Sequence, residues 1–468
     1  MGADHREFDR MKIAWYTPFG ERSAIGAFSA YVVPALGVRG LDVTIVRTET
    51  ESEAGGFGPQ LATACPVDWA CRWERDLELW AAGFDLVVYN FGDYFPFHAR
   101  CLTHLRRVPG LVILHDYNLH GLLTGFPQGH EAAIPPYAKM LLRDHGRRVM
   151  DAYEEAVATG RRDEWLRFEC SRYPVLSDPL APALGVVTHA EFYRAPCQER
   201  LGAPVTTIPL AFRGRVDGAA APVSPVGRQR RLLTFGMVNP NKGYASVIAT
   251  IGSDPRLSAD WEYRIVGAYE EGYRRRLEQL AATQPHPIVV SFAGLVSGNQ
   301  LAEELCAADA IACLRHPVLE GASASVVEAL QAARPVLVND VGCYAEIPRE
   351  FAWHVPTGPD EVAVLQGHLR DIFDAPDRAA DRARRAAAWA TYRHDSHRYA
   401  DRLVAFIDEV LRERPVLGLV DGVASRLARW TTAPPVAWRD GLRTRIESMF
   451  PGSAVAGRST VEAARDAD

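Results

Sequence analysis

Glu320-Gly321-Ala322-Ser323-Ala324-Ser325-Val326-Val327-Glu328 is the stretch that decides the fold. It leads out of one apolar segment, Ala310-Ile311-Ala312-Cys313-Leu314, and towards another, Pro335-Val336-Leu337-Val338. Strand, loop, helix and strand in that order make a unit of parallel α/β sheet. Glu320 then falls in the loop at a strand's carboxyl end, where such sheets bind ligands. Glu328 falls one turn into the helix. Between the two acids lie Gly321, Ala322 and Ser323, small residues whose backbone N–H groups at a helix start suit a phosphate. An acid for a sugar, an acid for a ribose and amides for a diphosphate is one use of this pattern. A plainer use is a capping box, Ser325-Val326-Val327-Glu328, in which Glu328 only satisfies an orphan N–H.

The same alternation extends in both directions. Lys12-Ile13-Ala14-Trp15-Tyr16 reads as a buried strand, followed by a loop holding Gly20 and Gly26. A helix with Phe28, Val32, Val33 and Leu36 on one face comes next and closes at Gly40. Asp42–Val46, Leu86–Asn90, Leu111–His115, Val186–His189 and Val205–Ile208 supply further strands, with helices expected in an insertion at about 119–180, the clearest over Tyr137–Ala158. Residues 214–229 are rich in small residues and proline, the composition of a linker. A second alternation begins at Arg231–Gly236, continues through Tyr263–Gly267 and Ile288–Phe292, and reaches the glutamate unit. The expected division is therefore an N-terminal Rossmann-like domain over 11–213, a linker over 214–229 and a C-terminal Rossmann-like domain over 230–390. A helix over 391–413 carries Tyr399, Leu403, Phe406, Ile407 and Val410 at helical spacing, ahead of an extension over 414–468. Residues 1–10 read as a disposable extension. Two such halves place a cleft between them, where ligands collect.

At 468 residues the chain exceeds one ordinary core, consistent with two domains. A net charge of -6 excludes a general nucleic-acid binder, which carries a basic excess. No signal-like segment opens the chain and no uncharged apolar run reaches about 18 residues. A cytoplasmic protein is expected, neither secreted nor membrane-spanning. The eight cysteines lack the spacing of metal sites and read as reduced core residues. The insertion carries Arg143, Arg147, Arg148, Arg161 and Arg162 interleaved with acids, a solvated mixed-charge face. Residues 416–450 mix Leu427, Trp430, Trp438 and Phe450 with arginines. That stretch fits a helix docked on the protein's own surface, or peripheral contact with a membrane.

From Met11 to Arg412 these residues resemble the retaining glycosyltransferases of family 4, which have the GT-B fold. The likeness is strongest over Leu314–Pro348 and includes the Glu-x7-Glu pair and the turn Gly236-Met237-Val238-Asn239-Pro240-Asn241-Lys242-Gly243. Tyr89-Asn90-Phe91-Gly92 and the run Pro109–His120 are similar to the branch that builds bacterial surface polysaccharides, including O-antigen mannosyl- and rhamnosyltransferases.

The resemblance implies two Rossmann-like domains across a cleft, with a C-terminal helix crossing back. It assigns Glu320 to the donor sugar, Glu328 to the ribose and Lys242 to the diphosphate. Gly236, Asn239, Gly267, Gly321, Ala322 and Ser323 would shape the donor site. His115 would sit beside the donor sugar, and Gly20 and Gly26 on the acceptor or phosphate side. Read without the family, Lys242 is an ordinary solvated loop lysine and His115 a satisfied core residue. Many family members carry arginine where this chain has Met237, so one cationic phosphate contact is missing. The implied partners are a nucleoside-diphosphate-sugar donor and a glycan or lipid-linked acceptor, with no metal and no cofactor. The implied reaction is retaining transfer, in which preorganised donors stabilise the leaving diphosphate. A nucleotide-sugar epimerase and a non-catalytic nucleotide-binding scaffold are the rivals on the same architecture.

Overall fold

The structure, a computed structural model, describes residues 10–49, 58–126, 135–216 and 229–412. The middle of the expected linker and the whole of 414–468, with the 416–450 stretch, lie outside the described residues.

Seven strands form the first sheet: β1 (Lys12–Thr17), β2 (Asp42–Arg47), β3 (Val67–Trp69), β4 (Leu86–Phe91), β5 (Leu111–Leu114), β6 (Gly185–Thr188) and β7 (Val205–Thr207). Their order is β3-β2-β1-β4-β5-β6-β7, and every pairing is parallel. The second sheet holds β8 (Arg230–Phe235), β9 (Trp261–Val266), β10 (Val290–Phe292), β11 (Ala310–Cys313), β12 (Val336–Asn339) and β13 (Trp353–Val355). Its order is β10-β9-β8-β11-β12-β13, again all parallel. Each order reverses direction beside its first strand, as in doubly wound sheets, and opens a ligand crevice at the strands' carboxyl ends. Helices cover both faces, so β4, β5, β6, β11 and β12 are buried along their whole length, which is why they read as mainly apolar runs, broken only by Asn90, Thr188 and Asn339.

Four sequence expectations need correction. The Tyr137–Ala158 helix is two helices, Tyr137–His145 and Arg147–Ala158, because Gly146 takes φ +80° between them. Gly26 is not in the loop after β1. The helix starts at Ala24, and the side chain of Ser23, its N-cap, accepts from the Gly26 N–H at 3.0 Å. The short strands β3 and β13 escaped notice, since three residues show too little periodicity. Among the cysteines, Cys306 is exposed and Cys65, Cys71 and Cys343 only half-buried, while all eight are free.

The two domains touch at the carboxyl ends of their sheets. The Gly321 N–H donates to the His115 carbonyl at 2.9 Å and the Asn118 N–H to Leu319 at 3.3 Å, with Asp116 and Glu320 paired in an antiparallel bridge. Glu346 of the second domain accepts from the Glu191 and Phe192 N–H groups of the first, at 3.0 and 2.7 Å. A helix over 376–393 breaks at His394, and a further helix over 396–412 returns to the first domain. There Tyr399, Leu403, Phe406, Ile407 and Val410 join Phe28, Val32, Leu36 and Ile113 in one apolar cluster.

Candidate functional site

The loop after β11 and the helix Ala324–Gln331 place the two glutamates. Ser323 is the helix N-cap in extended conformation, and its side chain makes no capping bond. Ser325 and Glu328 do not close a capping box either. Glu328 is buried within the second turn, and its Oε1 accepts from Arg215 Nη1 at 2.6 Å. The helix's first N–H groups are therefore not capped by these side chains.

Glu320 is held by groups that no local pattern announced. Its Oε1 accepts from Tyr344 Oη at 2.5 Å and from Arg315 Nε at 3.1 Å. Among the described residues its Oε2 meets only the Leu319 N–H, at 3.4 Å. Arg315 is buried and anchored by its Nη1 to the Leu314 carbonyl and by its own N–H to Asn339 Oδ1. Burial and the Glu320 carboxylate push the Tyr344 phenol well above its ordinary pKa, so it remains a donor. Gly321 follows at a point of close approach: a Cβ there would meet Tyr193 Oη at 2.5 Å and the His115 carbonyl at 2.7 Å.

Lys242 is not a solvated loop lysine. It is buried, and its Nζ donates to the Phe235 carbonyl at 3.2 Å. Burial first and the Arg315 guanidinium second pull its ammonium down to about 7. Gly236, at φ +91°, lies between this ammonium and Ser325: a Cβ there would stand 2.7 Å from Nζ and 3.6 Å from Oγ. A Cβ on Gly267 would collide with the Gly236 carbonyl at 2.1 Å. Gly236, Gly267, Lys242 and the start of the Ala324–Gln331 helix thus form one backbone-lined cradle. Asn239 Oδ1 is buried without a partner beside it. Met237 is 69% exposed, so the cation missing there is not replaced in place. Arg315 instead supplies a second buried positive charge next to Lys242.

From the facing domain, His115 reaches the Glu320 loop by its carbonyl, not its ring. The ring is buried with Nε2 3.0 Å from Asn90 Oδ1 and Nδ1 3.2 Å from His189 Nε2. Beside it, Asp116 Oδ2 accepts from the Asp93 N–H at 2.8 Å. Burial, then Asp116, raises Asp93 to about 8, and burial raises Asp116 to about 6. Gly20 bridges Gln60 at the end of β1, and Gly26 packs against the Pro18 carbonyl. Both shape the loop and helix start that follow β1 in the first domain. A cavity of about 680 Å³ joins Glu169, Ser171 and Arg172 of the insertion to Asn239, Arg276 and His316 of the second domain.

Arg315, Tyr344, Arg215, Asp93, Asp116 and His189 are the residues that sequence reading missed. Arg315, Tyr344 and Asp116 lie within the two stretches that carry the resemblance, and His189 is a second strand-end histidine like His115. Among the described residues no cluster of three or more His, Cys, Asp or Glu is arranged to hold a metal, and no helix is long and apolar enough to cross a membrane.

Residues 221–389 match the family described as Glycosyl transferases group 1. No curated protein matches the chain. Among solved structures it is similar to sucrose-phosphate synthase from Thermosynechococcus elongatus, at 16% identity and TM-score 0.56 over 86% of this chain and 100% of that one. It is similar to Anabaena Alr3699/HepE in complex with UDP and glucose, at 17% identity and TM-score 0.53 over 85% and 99%. It is also similar to WaaG, a glycosyltransferase involved in lipopolysaccharide biosynthesis, at 16% identity and TM-score 0.52 over 84% and 98%. These likenesses establish the GT-B fold.

Proposed function

We propose that the protein is a retaining glycosyltransferase of the family-4 type, transferring a hexosyl group from a nucleoside-diphosphate sugar to a glycan acceptor. The observation that carries this reading is the meeting of three features beyond the carboxyl ends of the second sheet's two central strands, β8 and β11. Lys242 and the Gly236 backbone face the uncapped start of the Ala324–Gln331 helix, and Glu320 and Glu328 flank it. A diphosphate in that cradle receives helix N–H groups and two buried cations, Lys242 and Arg315. Glu320 Oε2 is the acceptor for a sugar hydroxyl, and Glu328 the acceptor for a ribose, in exchange for or beside Arg215. The group 1 match over 221–389 and the UDP and UDP-glucose bound by HepE support a nucleotide-sugar donor.

Glycosyl transfer builds negative charge on the departing diphosphate, and preorganised cations and N–H groups answer that need without a metal. The acceptor, a lipid-linked or surface-polysaccharide glycan in this reading, enters through the cavity shared by the insertion and the Asn239 loop. The work would take place in the cytoplasm, at the inner face of the membrane, and WaaG's role supports the surface-polysaccharide assignment only loosely.

The test begins with a thermal-shift screen of UDP-, GDP- and dTDP-sugars, since a ligand bound by the native state alone raises its apparent stability. Transfer is then assayed with the stabilising donor. Glu320→Gln and Lys242→Ala are each expected to lower turnover about 100- to 1,000-fold with the fold intact. Near-full activity in either removes the site assignment, and conversion of donor without acceptor identifies an epimerase instead.

A further inference from the structure

Two histidines stand at the carboxyl ends of adjacent strands, His115 after β5 and His189 after β6, and both are buried. Their ring nitrogens form one chain of contacts. Asn90 Oδ1 lies 3.0 Å from His115 Nε2, His115 Nδ1 lies 3.2 Å from His189 Nε2, and His189 Nδ1 lies 2.9 Å from the Ile208 carbonyl. The Asn90 amide is fixed, because its Nδ2 donates to the Tyr16 carbonyl at 2.8 Å, and so Oδ1 is what His115 meets. Both ends of the chain are acceptors, and each draws an N–H from the ring that faces it. Two neutral imidazoles carry two N–H groups in all. Once both point outward, the inner nitrogens oppose each other with two lone pairs and no proton. A third proton between them completes the chain and gives the pair one positive charge.

The environment decides when that proton is held. An unmade inner hydrogen bond costs less than an unbalanced buried charge. Burial pulls both imidazoles down, His189 to about 4, so the free protein near neutral pH holds the two-proton form. The other titratable groups around the pair add no negative charge to its core. His98 and His394 are themselves pulled down to about 3 and about 4, and the Tyr399 and Tyr193 phenols are raised by burial. Asp116, next to His115 in the chain, is raised to about 6, and the crevice that His189 lines also holds Glu346 and Arg393, of opposite charge. An arriving anion changes the balance. His189 lines a crevice with Ala322 and Ser323. Phe28, edge-on to both rings, shares an apolar cluster with Ala322 and Ala324. The pair therefore lies behind the helix start that faces Lys242.

Resting on the glycosyl-transfer reading above, we propose that His189 is a positioning residue for that reaction. With His115 it forms a pair that takes up one proton from solvent when a nucleoside diphosphate seats at the Ser323–Ser325 helix start. The added charge faces the leaving group, and the completed chain holds the His115 carbonyl against Gly321.

The test is calorimetric titration of UDP, GDP and dTDP into the full-length protein near neutral pH, in buffers of differing ionisation enthalpy, with wild type and His189→Gln. A glutamine amide can donate to His115 Nδ1 but cannot take the proton. Lys242 and the nucleotide phosphate contribute alike in both proteins, so the difference belongs to the pair. The expected result is close to one proton fewer taken up by His189→Gln, with an affinity about tenfold less pH-sensitive per unit. Equal uptake in the two proteins overturns the proposal. Should the variant fail to fold, nitrogen NMR of histidine-labelled wild type replaces it, and rings of the pair that stay neutral with UDP bound overturn the proposal equally. If none of the three nucleotides binds, the glycosyl-transfer reading fails and this proposal with it. Binding without the proton difference sinks this proposal alone.

Discussion

Glu320 shows how little of a functional side chain's behaviour lies in its own neighbourhood. Its carboxylate is aimed by Tyr344, 24 residues along the chain, and by Arg315, five residues back. Removing the Tyr344 hydroxyl leaves Oε1 with Arg315 alone and lets the carboxylate turn. Tyr344→Phe is expected to lower turnover roughly tenfold, the worth of one charge-assisted hydrogen bond, with little change in unfolding temperature. A steady-state assay beside a melting curve checks both halves. Asp93 yields a stability prediction of definite sign. Its carboxyl is raised to about 8, so the folded protein keeps a proton that the unfolded chain loses near pH 4. The folded state then binds more protons across the interval, and stability falls as pH rises from about 5 to about 8. Asp93→Asn keeps the acceptor for the Leu122 N–H and removes the titration. Urea midpoints of the two proteins should diverge with rising pH, the wild type declining faster.

At the scale of elements, the loop from Leu319 to Ser323 serves two domains. It lies between β11 and the Ala324–Gln331 helix and pairs with residues 115–118, which follow β5 in the other domain. Only glycine fits at 321. Gly321→Ala sets a methyl against Tyr193 Oη and the His115 carbonyl, and one of the three must move. The expected cost is about 1–3 kcal/mol in denaturant unfolding, with nucleotide affinity falling alongside because the helix start shifts. An alanine tolerated with unchanged affinity would show that this contact does not set the donor loop. The same scale explains the broken helix of the insertion. Helical periodicity runs through 137–158, but Gly146 carries no penalty at φ +80° and the chain turns there.

For the whole molecule, the question is what holds the carboxyl ends of the two sheets against each other. Apolar burial does so on one side, where the 396–412 helix lies on the first domain. On the other, Glu346 accepts two N–H groups at the start of the turn Glu191–Tyr193. Glu346→Ala should loosen that edge without unfolding either sheet. Hydrogen exchange at Glu191 and Phe192 is expected to accelerate by about an order of magnitude, with the β11 and β12 amides unchanged. Uniform acceleration throughout would mean that the contact supports global stability instead.

By itself the sequence determined the two α/β halves, because strands buried on both faces must be mainly apolar. It also located the loop after β11, where small residues and two acids lead from a strand into a helix. The Glu320–Glu328 loop was legible on those grounds, as the returning helix with Tyr399 and Leu403 was from its spacing, whereas Lys242 and Gly236 were singled out only by the family resemblance. Tertiary structure alone decided the state of those groups. Lys242 is buried rather than solvated, Glu328 is held by Arg215 across 113 residues of chain, and His115 presents its carbonyl while its ring turns to His189. Local periodicity records which face of an element is buried. Burial depth, protonation and the aim of a carboxylate depend on partners brought in from distant strands, and no local pattern encodes them.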